Sequence, residues 1–301
     1  MDINSNLKSG YEQGTDYSSQ NTKKYRLDFV GVGPTRTGTT WIHEYLLRHK
    51  DVCLPQRVKE LHFFNNRYNK GFDWYFSHFP HYDGNKIIGE ITPNYFHIPE
   101  AAQRVYDFNP NCKIICTLRY PVERSFSHYL HAKRNGYVKP SCSFREAMEE
   151  RPSIIESSRY YTHLSRWLKH FGGKNVCILM FEDLKKNSRD FARKLCNFLE
   201  LEEQSFPEEL EKPVNEREFP INFTLGRIAR RVDDILCNYR IYFIKDMIKT
   251  MGLNKVILGG REINEKLSEE DKRYVSSLLK EETENLEKLL NLDTSSWKKY
   301  Q

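Results

Sequence analysis

No apolar run in this chain approaches the ~18 residues that a membrane-spanning helix needs, so no span is expected. The opening stretch, Met1 to Lys24, has no apolar core. It is polar, rich in Asn, Ser and Gln, and reads as a flexible lead-in rather than a secretory leader. The cysteines lack a frame: seven residues, with no C-x-x-C pair, fit reduced cytosolic thiols and not a disulfide scaffold. Cys112 and Cys116 fall around an apolar strand, where a small buried residue is the plain reading. No cluster has the spacing of a zinc site, so no metal is expected. Basic charge is not concentrated either. The net charge of +6 suits an anionic ligand, but its carriers are scattered, which argues against a nucleic-acid partner.

One further absence is informative. Residues 27–41, Leu-Asp-Phe-Val-Gly-Val-Gly-Pro-Thr-Arg-Thr-Gly-Thr-Thr-Trp, read as a short apolar strand, a glycine-bearing turn and a helix start. Such a junction cradles phosphate, because backbone N–H groups converge there and the helix N-terminus adds partial positive charge. Gly33 and Gly38 keep the G-x-x-x-x-G spacing of a triphosphate loop, but Thr39 stands where its lysine belongs. The nearest cation, Arg36, lies inside the loop. A nucleotide is expected; ATP or GTP is not, although a nucleotide kinase would share the fold.

What is present is a globular composition, 39% hydrophobic and 29% charged over 301 residues, enough for one domain over 25–301 behind a tail of 1–24. Apolar runs predict strands at 27–32, 86–92, 113–119 and 176–181, with helices between them. Helical spacing follows Trp41, and it recurs over 70–80, 99–108, 122–134, 160–171 (closed by Gly172-Gly173) and 182–199. Phe72, Tyr75, Phe76 and Phe79 form an aromatic stripe expected to face the core. Residues 202–222 read as a loop. From Phe223 the chain is expected to be mostly helical, with an amphipathic helix over 268–292 opened by Ser268-Glu-Glu-Asp. Continuous apolar strands alternating with helices imply an α/β domain with a parallel sheet covered on both faces. The loops after Val32, Thr92 and Leu118, at the strands' carboxyl ends, are then the candidate site walls.

On Gly33-Pro-Thr-Arg-Thr-Gly-Thr-Thr-Trp, Lys59-Glu-Leu-His-Phe-Phe, Lys70-Gly-Phe-Asp-Trp-Tyr, Glu90-Ile-Thr-Pro-Asn-Tyr-Phe, Leu118-Arg-Tyr-Pro-Val-Glu-Arg-Ser-Phe-Ser-His-Tyr and Tyr160-Tyr-Thr-His-Leu-Ser-Arg-Trp, in that order, with the late Trp297, the chain resembles a family. It is similar to the sulfotransferases that use 3′-phosphoadenosine 5′-phosphosulfate (PAPS), in particular their glycan-type, heparan-sulfate-like branch. The resemblance runs from about Leu27 to Trp297 and implies a P-loop-like single domain that moves a sulfuryl group to a hydroxyl or amine. It places the 5′-phosphosulfate on Pro34, Thr35, Arg36, Thr37, Gly38, Thr39 and Thr40. It places the adenine on Trp41, whose other reading is core packing, and the 3′-phosphate on Arg119 and Ser127, with Tyr160 in the same series. A late basic loop should add a further contact, for which Arg217 is the best candidate and Asn215 the second.

PAPS needs two anion sites, and the chemistry is in-line displacement carried by positioning and charge stabilisation, without an obligatory metal. Arg36 stands where the family usually has lysine; it can stabilise the leaving oxygen but cannot act as an acid at neutral pH. The match assigns the base role to Glu60, with Lys59 as a partner of the sulfate and His97 as the alternative base. His62 and His128 adjoin the motifs as candidates to line the substrate site. Phe63, Phe64, Trp74, Tyr75, Tyr95 and Phe96 are expected near the mouth and would suit a ring-bearing or amphiphilic acceptor. A cytosolic location likewise favours a small natural product or lipid, with a saccharide as the alternative.

Overall fold

The computed structural model describes residues 25–79, 84–211, 231–232, 235–237, 265–291 and 297. The lead-in of 1–24, the loop with Asn215 and Arg217, and nearly all of the helical stretch expected between 223 and 264 lie outside the described residues.

The described residues include five strands: β1 (Phe29–Gly31), β2 (Val52–Cys53), β3 (Ile87–Ile91), β4 (Lys113–Leu118) and β5 (Val176–Met180). They form one sheet in the order β2-β3-β1-β4-β5, every neighbouring pair parallel. Phe29 lies opposite Gly89 on one side and Lys113 on the other, which puts β1 in the centre. Four strands coincide with the apolar runs. β2 is a fifth that periodicity does not reveal, since two residues carry no period; it is held by Val52↔Ile87 and Cys53↔Ile88 pairing.

The helices among the described residues include α1 (Thr39–Leu47), α2 (Gly71–Phe76), α3 (Pro99–Phe108), α4 (Pro121–Arg134), α5 (Phe144–Glu150), α6 (Ser153–Glu156), α7 (Tyr160–Phe171), α8 (Phe181–Lys186), α9 (Ser188–Leu199), α10 (Glu269–Leu278) and α11 (Lys280–Leu290). α3 and α4 each open on proline, whose missing N–H costs nothing in a first turn. α7 stops at Gly172, where the chain turns to φ 69°. Two expected helices are divided. The run 182–199 breaks at Asn187, whose side chain accepts the Asp190 N–H at 3.1 Å and so restarts the chain as α9. The run from 268 breaks at Leu279, after Ser268 caps α10 by accepting the Asp271 N–H at 3.0 Å. The segment 135–159, which shows no clear period, holds α5 behind a Ser143/Glu146 capping box and the single turn α6.

Both faces of the sheet are covered. Along β4, Ile114, Cys116 and Leu118 enter one apolar cluster with Val105, Tyr129, Leu164 and Trp167, while Ile115 enters another with Trp41, Phe191 and Leu195. This alternation is the period of two of a strand. Each buried branched or aromatic side chain contributes roughly 1.5–3 kcal/mol, enough that a one-residue slip of β4 is not tolerated. Phe72, Tyr75 and Phe79 are buried as expected of a core stripe. Strand order reverses across β1, so the crossovers leave a crevice at the carboxyl ends of β1, β3, β4 and β5.

Candidate active site

That crevice is an open cleft of about 950 Å³, walled by the segments that follow all five strands. Its floor is the turn between β1 and α1. Gly33 is required there for close approach, since a Cβ would fall 2.4 Å from both the backbone N and Oγ1 of Thr117. Gly38 takes φ 91° and caps α1 without a side chain, and no acidic residue sits in the first turn. The N–H groups of that turn are thus unclaimed by any cap, and Gly38, Thr39 and Thr40 line the cleft where they emerge. Arg36 is held at φ 77°, a left-handed conformation uncommon for a side chain this large.

The turn is fixed from behind through its carbonyls. Arg124 Nη1 donates to the Thr35 carbonyl at 3.4 Å and Arg119 Nη1 to the Arg36 carbonyl at 3.5 Å. Thr37 Oγ1 donates to the Pro34 carbonyl at 2.6 Å and shares a hydrogen bond of 2.6 Å with Thr117 Oγ1. Arg36 Nε donates to Ser127 Oγ at 3.1 Å. Arg119 lies over the Phe181 ring at 4.8 Å and reaches Glu123 through Nη2 at 3.1 Å. Its Nε is buried with no hydrogen-bond partner among the described residues. A buried guanidinium edge left open beside an uncapped helix N-terminus is a donor set suited to a second anionic group. Residues of this kind fit a nucleotide carrying separate 5′ and 3′ anions.

Across the cleft, Lys59 Nζ donates to Thr40 Oγ1 at 2.8 Å and to Glu60 Oε1 at 3.2 Å. His62 Nε2 lies 3.5 Å from Glu60 Oε2. Burial pushes the Glu60 carboxyl up, but the hydrogen bond from His62 and the Lys59 charge outweigh it and lower Glu60 from 4.5 to about 2. Glu60 is therefore a carboxylate at any physiological pH, bracketed by two donors. Burial, with the nearby His163 and Arg124 charges, lowers His97 to about 4, so it too is unprotonated at neutrality; its Nδ1 is 3.4 Å from Ser157 Oγ. His131 is lowered to about 3 by burial and by Arg36.

Thr35, Arg36, Gly38, Thr39, Thr40, Trp41, Lys59, Glu60, His97 and Arg119 all reach the cleft wall, as do His62 and His128. Pro34, Thr37, Ser127 and Tyr160 do not. Tyr160 is buried and donates to the Arg119 carbonyl at 2.8 Å, holding the strand end from beneath. Trp41 is mostly core: its Nε1 donates to the Leu210 carbonyl at 2.9 Å and its ring stacks on Tyr45. Arg217 lies outside the described residues. Sequence reasoning missed Phe181, Leu184, Lys185 and Ser188, which follow β5 and wall the cleft beside Arg119. It also missed Asn65, Asn94, His131, Tyr137, Arg151 and Ser153 elsewhere on the wall. The β5 group follows from the rule that places sites at strand carboxyl ends, had it been applied to β5 as to the others.

The aromatic mouth is not there. Phe63, Phe64, Tyr75, Tyr95 and Phe96 are fully buried, and Trp74 also lies away from the cleft wall. Tyr75 and Tyr95 donate to Glu90, a buried carboxylate that also accepts Thr92 Oγ1, and Tyr95 Oη accepts the Phe64 N–H at 3.1 Å. These rings anchor the segment carrying Glu60 instead of facing an acceptor.

A family model described as "Sulfotransferase domain" matches residues 27–220. This chain belongs to that family. Among its relatives, the membrane-associated sulfotransferase kil1 of Dictyostelium discoideum is 36% identical over 137 residues, 43% of this chain and 29% of that protein. The bifunctional heparan sulfate N-deacetylase/N-sulfotransferase 1 of Caenorhabditis elegans is 28% identical over 200 residues, 62% of this chain and 23% of that protein. The matches thus span less than a third of the length of these relatives. The crystal structure of a sulfotransferase from Alicyclobacillus acidocaldarius superposes with a TM-score of 0.66 at 22% identity, covering 91% of this chain and 99% of that one, and shares the fold. The cleft of this sulfotransferase-family chain is built from segments within the matched region. Among its described residues no helix is long and apolar enough to cross a membrane.

Proposed function

We propose that the chain is a PAPS-dependent sulfotransferase whose acceptor is a polar, hydroxylated molecule of saccharide type. The observation that carries this reading is the pairing, in one cleft, of an uncapped helix N-terminus flanked by Arg36 and Arg119 with an ionised Glu60 held by Lys59. PAPS, when bound, supplies an activated sulfuryl group and a phosphate leaving group. Thr39, Thr40 and the first turn of α1 would hold its 5′ end, and Arg119 its 3′-phosphate. Lys59 bridges the loop hydroxyl and Glu60, which positions its charge at the border between donor and acceptor halves. Glu60 would take the proton that an attacking hydroxyl or amine must lose. A saccharide is favoured because the acceptor half presents Asn65, His97, His128, His131, Arg151 and Ser153, while the expected aromatics are in the core. The heparan sulfate enzymes among the relatives agree with that choice.

The test combines calorimetry with 35S-labelled PAPS. 3′,5′-ADP should bind, while ATP should be ignored with or without Mg²⁺. Label should pass to an oligosaccharide of alternating glucuronate and glucosamine in preference to 2-naphthol. Magnesium-dependent ATP binding without response to 3′,5′-ADP would overturn the PAPS reading; transfer to naphthol alone would return the acceptor to a ring-bearing small molecule.

A further inference from the structure

Arg124 is buried in α4 and, among the described residues, has no carboxylate partner. Its Nε donates to Ser158 Oγ at 2.6 Å, its Nη2 to the Ile154 carbonyl and to Ser125 Oγ at 3.3 Å, and its Nη1 to the Thr35 carbonyl. These ties, to the phosphate turn, to α6 and to the residues after it, fix the guanidinium plane. Nη1 also lies 3.3 Å from His128 Nδ1, one turn along the same helix. A guanidinium has donors only, so Nδ1 must accept, and the imidazole proton must reside on Nε2.

We propose that Arg124 locks His128 in its Nε2–H tautomer, so that this side chain faces the cleft as a hydrogen-bond donor to the acceptor and never serves as a base. The tautomer stands on the Arg124 contact alone; the acceptor role rests on the sulfotransferase reading. To work as a base, His128 would take a second proton and bring an Nδ1–H against a guanidinium, two donors and two like charges face to face. The groups that act on the ring are Arg124 and His131 on α4, Arg151 ahead of α6, and His97 after β3, with no carboxylate among them. Burial and the Arg124 charge both drive the imidazolium form well out of the neutral range. Arg124, lowered by burial to about 10, keeps its charge at pH 7. Among the cleft imidazoles this removes His128 as a base.

The full chain labelled with 15N-histidine answers the first part by long-range 1H–15N correlation, with the His128 signals identified by their loss in His128→Gln. The expected pattern is a neutral ring protonated on Nε2 from pH 8 down to 5.5. An Nδ1-protonated ring, or an imidazolium at pH 7, overturns the proposal. The second part uses the glucuronate–glucosamine oligosaccharide. His128→Ala should raise its KM about tenfold with 3′,5′-ADP affinity unchanged, and His128→Gln, whose amide offers an N–H near the Nε2 position, should stay within threefold of the native value. Equal losses in both variants would refute the donor role. Absence of saccharide turnover in the unaltered chain would sink the acceptor reading, while the spectrum still decides the tautomer.

Discussion

Replacing Arg119 by alanine removes a cleft cation whose Nε is buried without a partner among the described residues while Nη1 and Nη2 are engaged. A hydrogen bond to a charged group contributes about 1.5–3 kcal/mol. Loss of the Arg119 contact to a 3′-phosphate should therefore weaken 3′,5′-ADP binding by roughly 10- to 150-fold at 1.4 kcal/mol per decade. The native fold should survive, because the side chain otherwise stacks on Phe181, makes one long hydrogen bond of 3.5 Å to the Arg36 carbonyl and pairs with Glu123, whose side chain is 47% exposed, a pair contributing at most about 1 kcal/mol. Titration calorimetry with 3′,5′-ADP and with 5′-AMP, which lacks the 3′-phosphate, isolates the contact. Arg119→Ala should leave 5′-AMP within about threefold, and Arg119→Lys, which keeps charge without the fork, should fall between. Equal losses for both ligands would mean that Arg119 serves the 5′ end, and the assignment would be wrong.

Four further outcomes follow from the same geometry. Glu60→Gln should keep 3′,5′-ADP affinity and cut PAPS-dependent turnover by ~10² to 10⁴, as loss of a general base does; undiminished turnover would move the role to His97. With Glu60 at about 2 and His97 at about 4, neither should impose a limb on kcat/KM of the free enzyme between pH 5 and 8, whichever is the base. Stability should nevertheless fall as pH drops below about 6.5, because the unfolded chain protonates imidazoles that the fold keeps neutral. His43, at about 4 through burial and the Lys59 charge, together with His97, should each give a slope of roughly 1.4 kcal/mol per pH unit until its folded pKa is reached, measurable by urea unfolding at pH 7 and 5. Gly33→Ala should destabilise the fold by about 1–3 kcal/mol, since its methyl meets the Thr117 backbone at 2.4 Å; an unchanged unfolding midpoint would show that β4 gives way freely.

The strand–turn–helix over residues 27–47 could be read from the sequence because every determinant is local: an apolar run, glycines at a fixed interval, then a helical period. The facing of Phe63, Phe64 and Tyr95 could not, since it depends on Glu90, a buried carboxylate on β3 that draws the Tyr75 and Tyr95 hydroxyls inward. Of the histidine-lined wall, His62, His97 and His128 are named by the motifs they adjoin, and only His131 escapes. His62, His97 and His128 come from three crossovers, and only the sheet order makes them neighbours. Arg151 and Tyr137, stacked at 4.1 Å, sit in a segment whose short helices are set by capping and packing and carry too few turns to show a period.

The cation beneath the phosphate turn has a consequence for the medium in which the protein works. Dissolved ions damp exposed charges over about 8 Å at physiological strength but reach an enclosed one poorly. Arg124 is sealed among hydroxyls, carbonyls and an imidazole, 3.4 Å from the Thr35 carbonyl. Part of the pull on an incoming anion is therefore internal to the protein and persists in brine, whereas the part owed to surface lysines and arginines fades with each increment of salt.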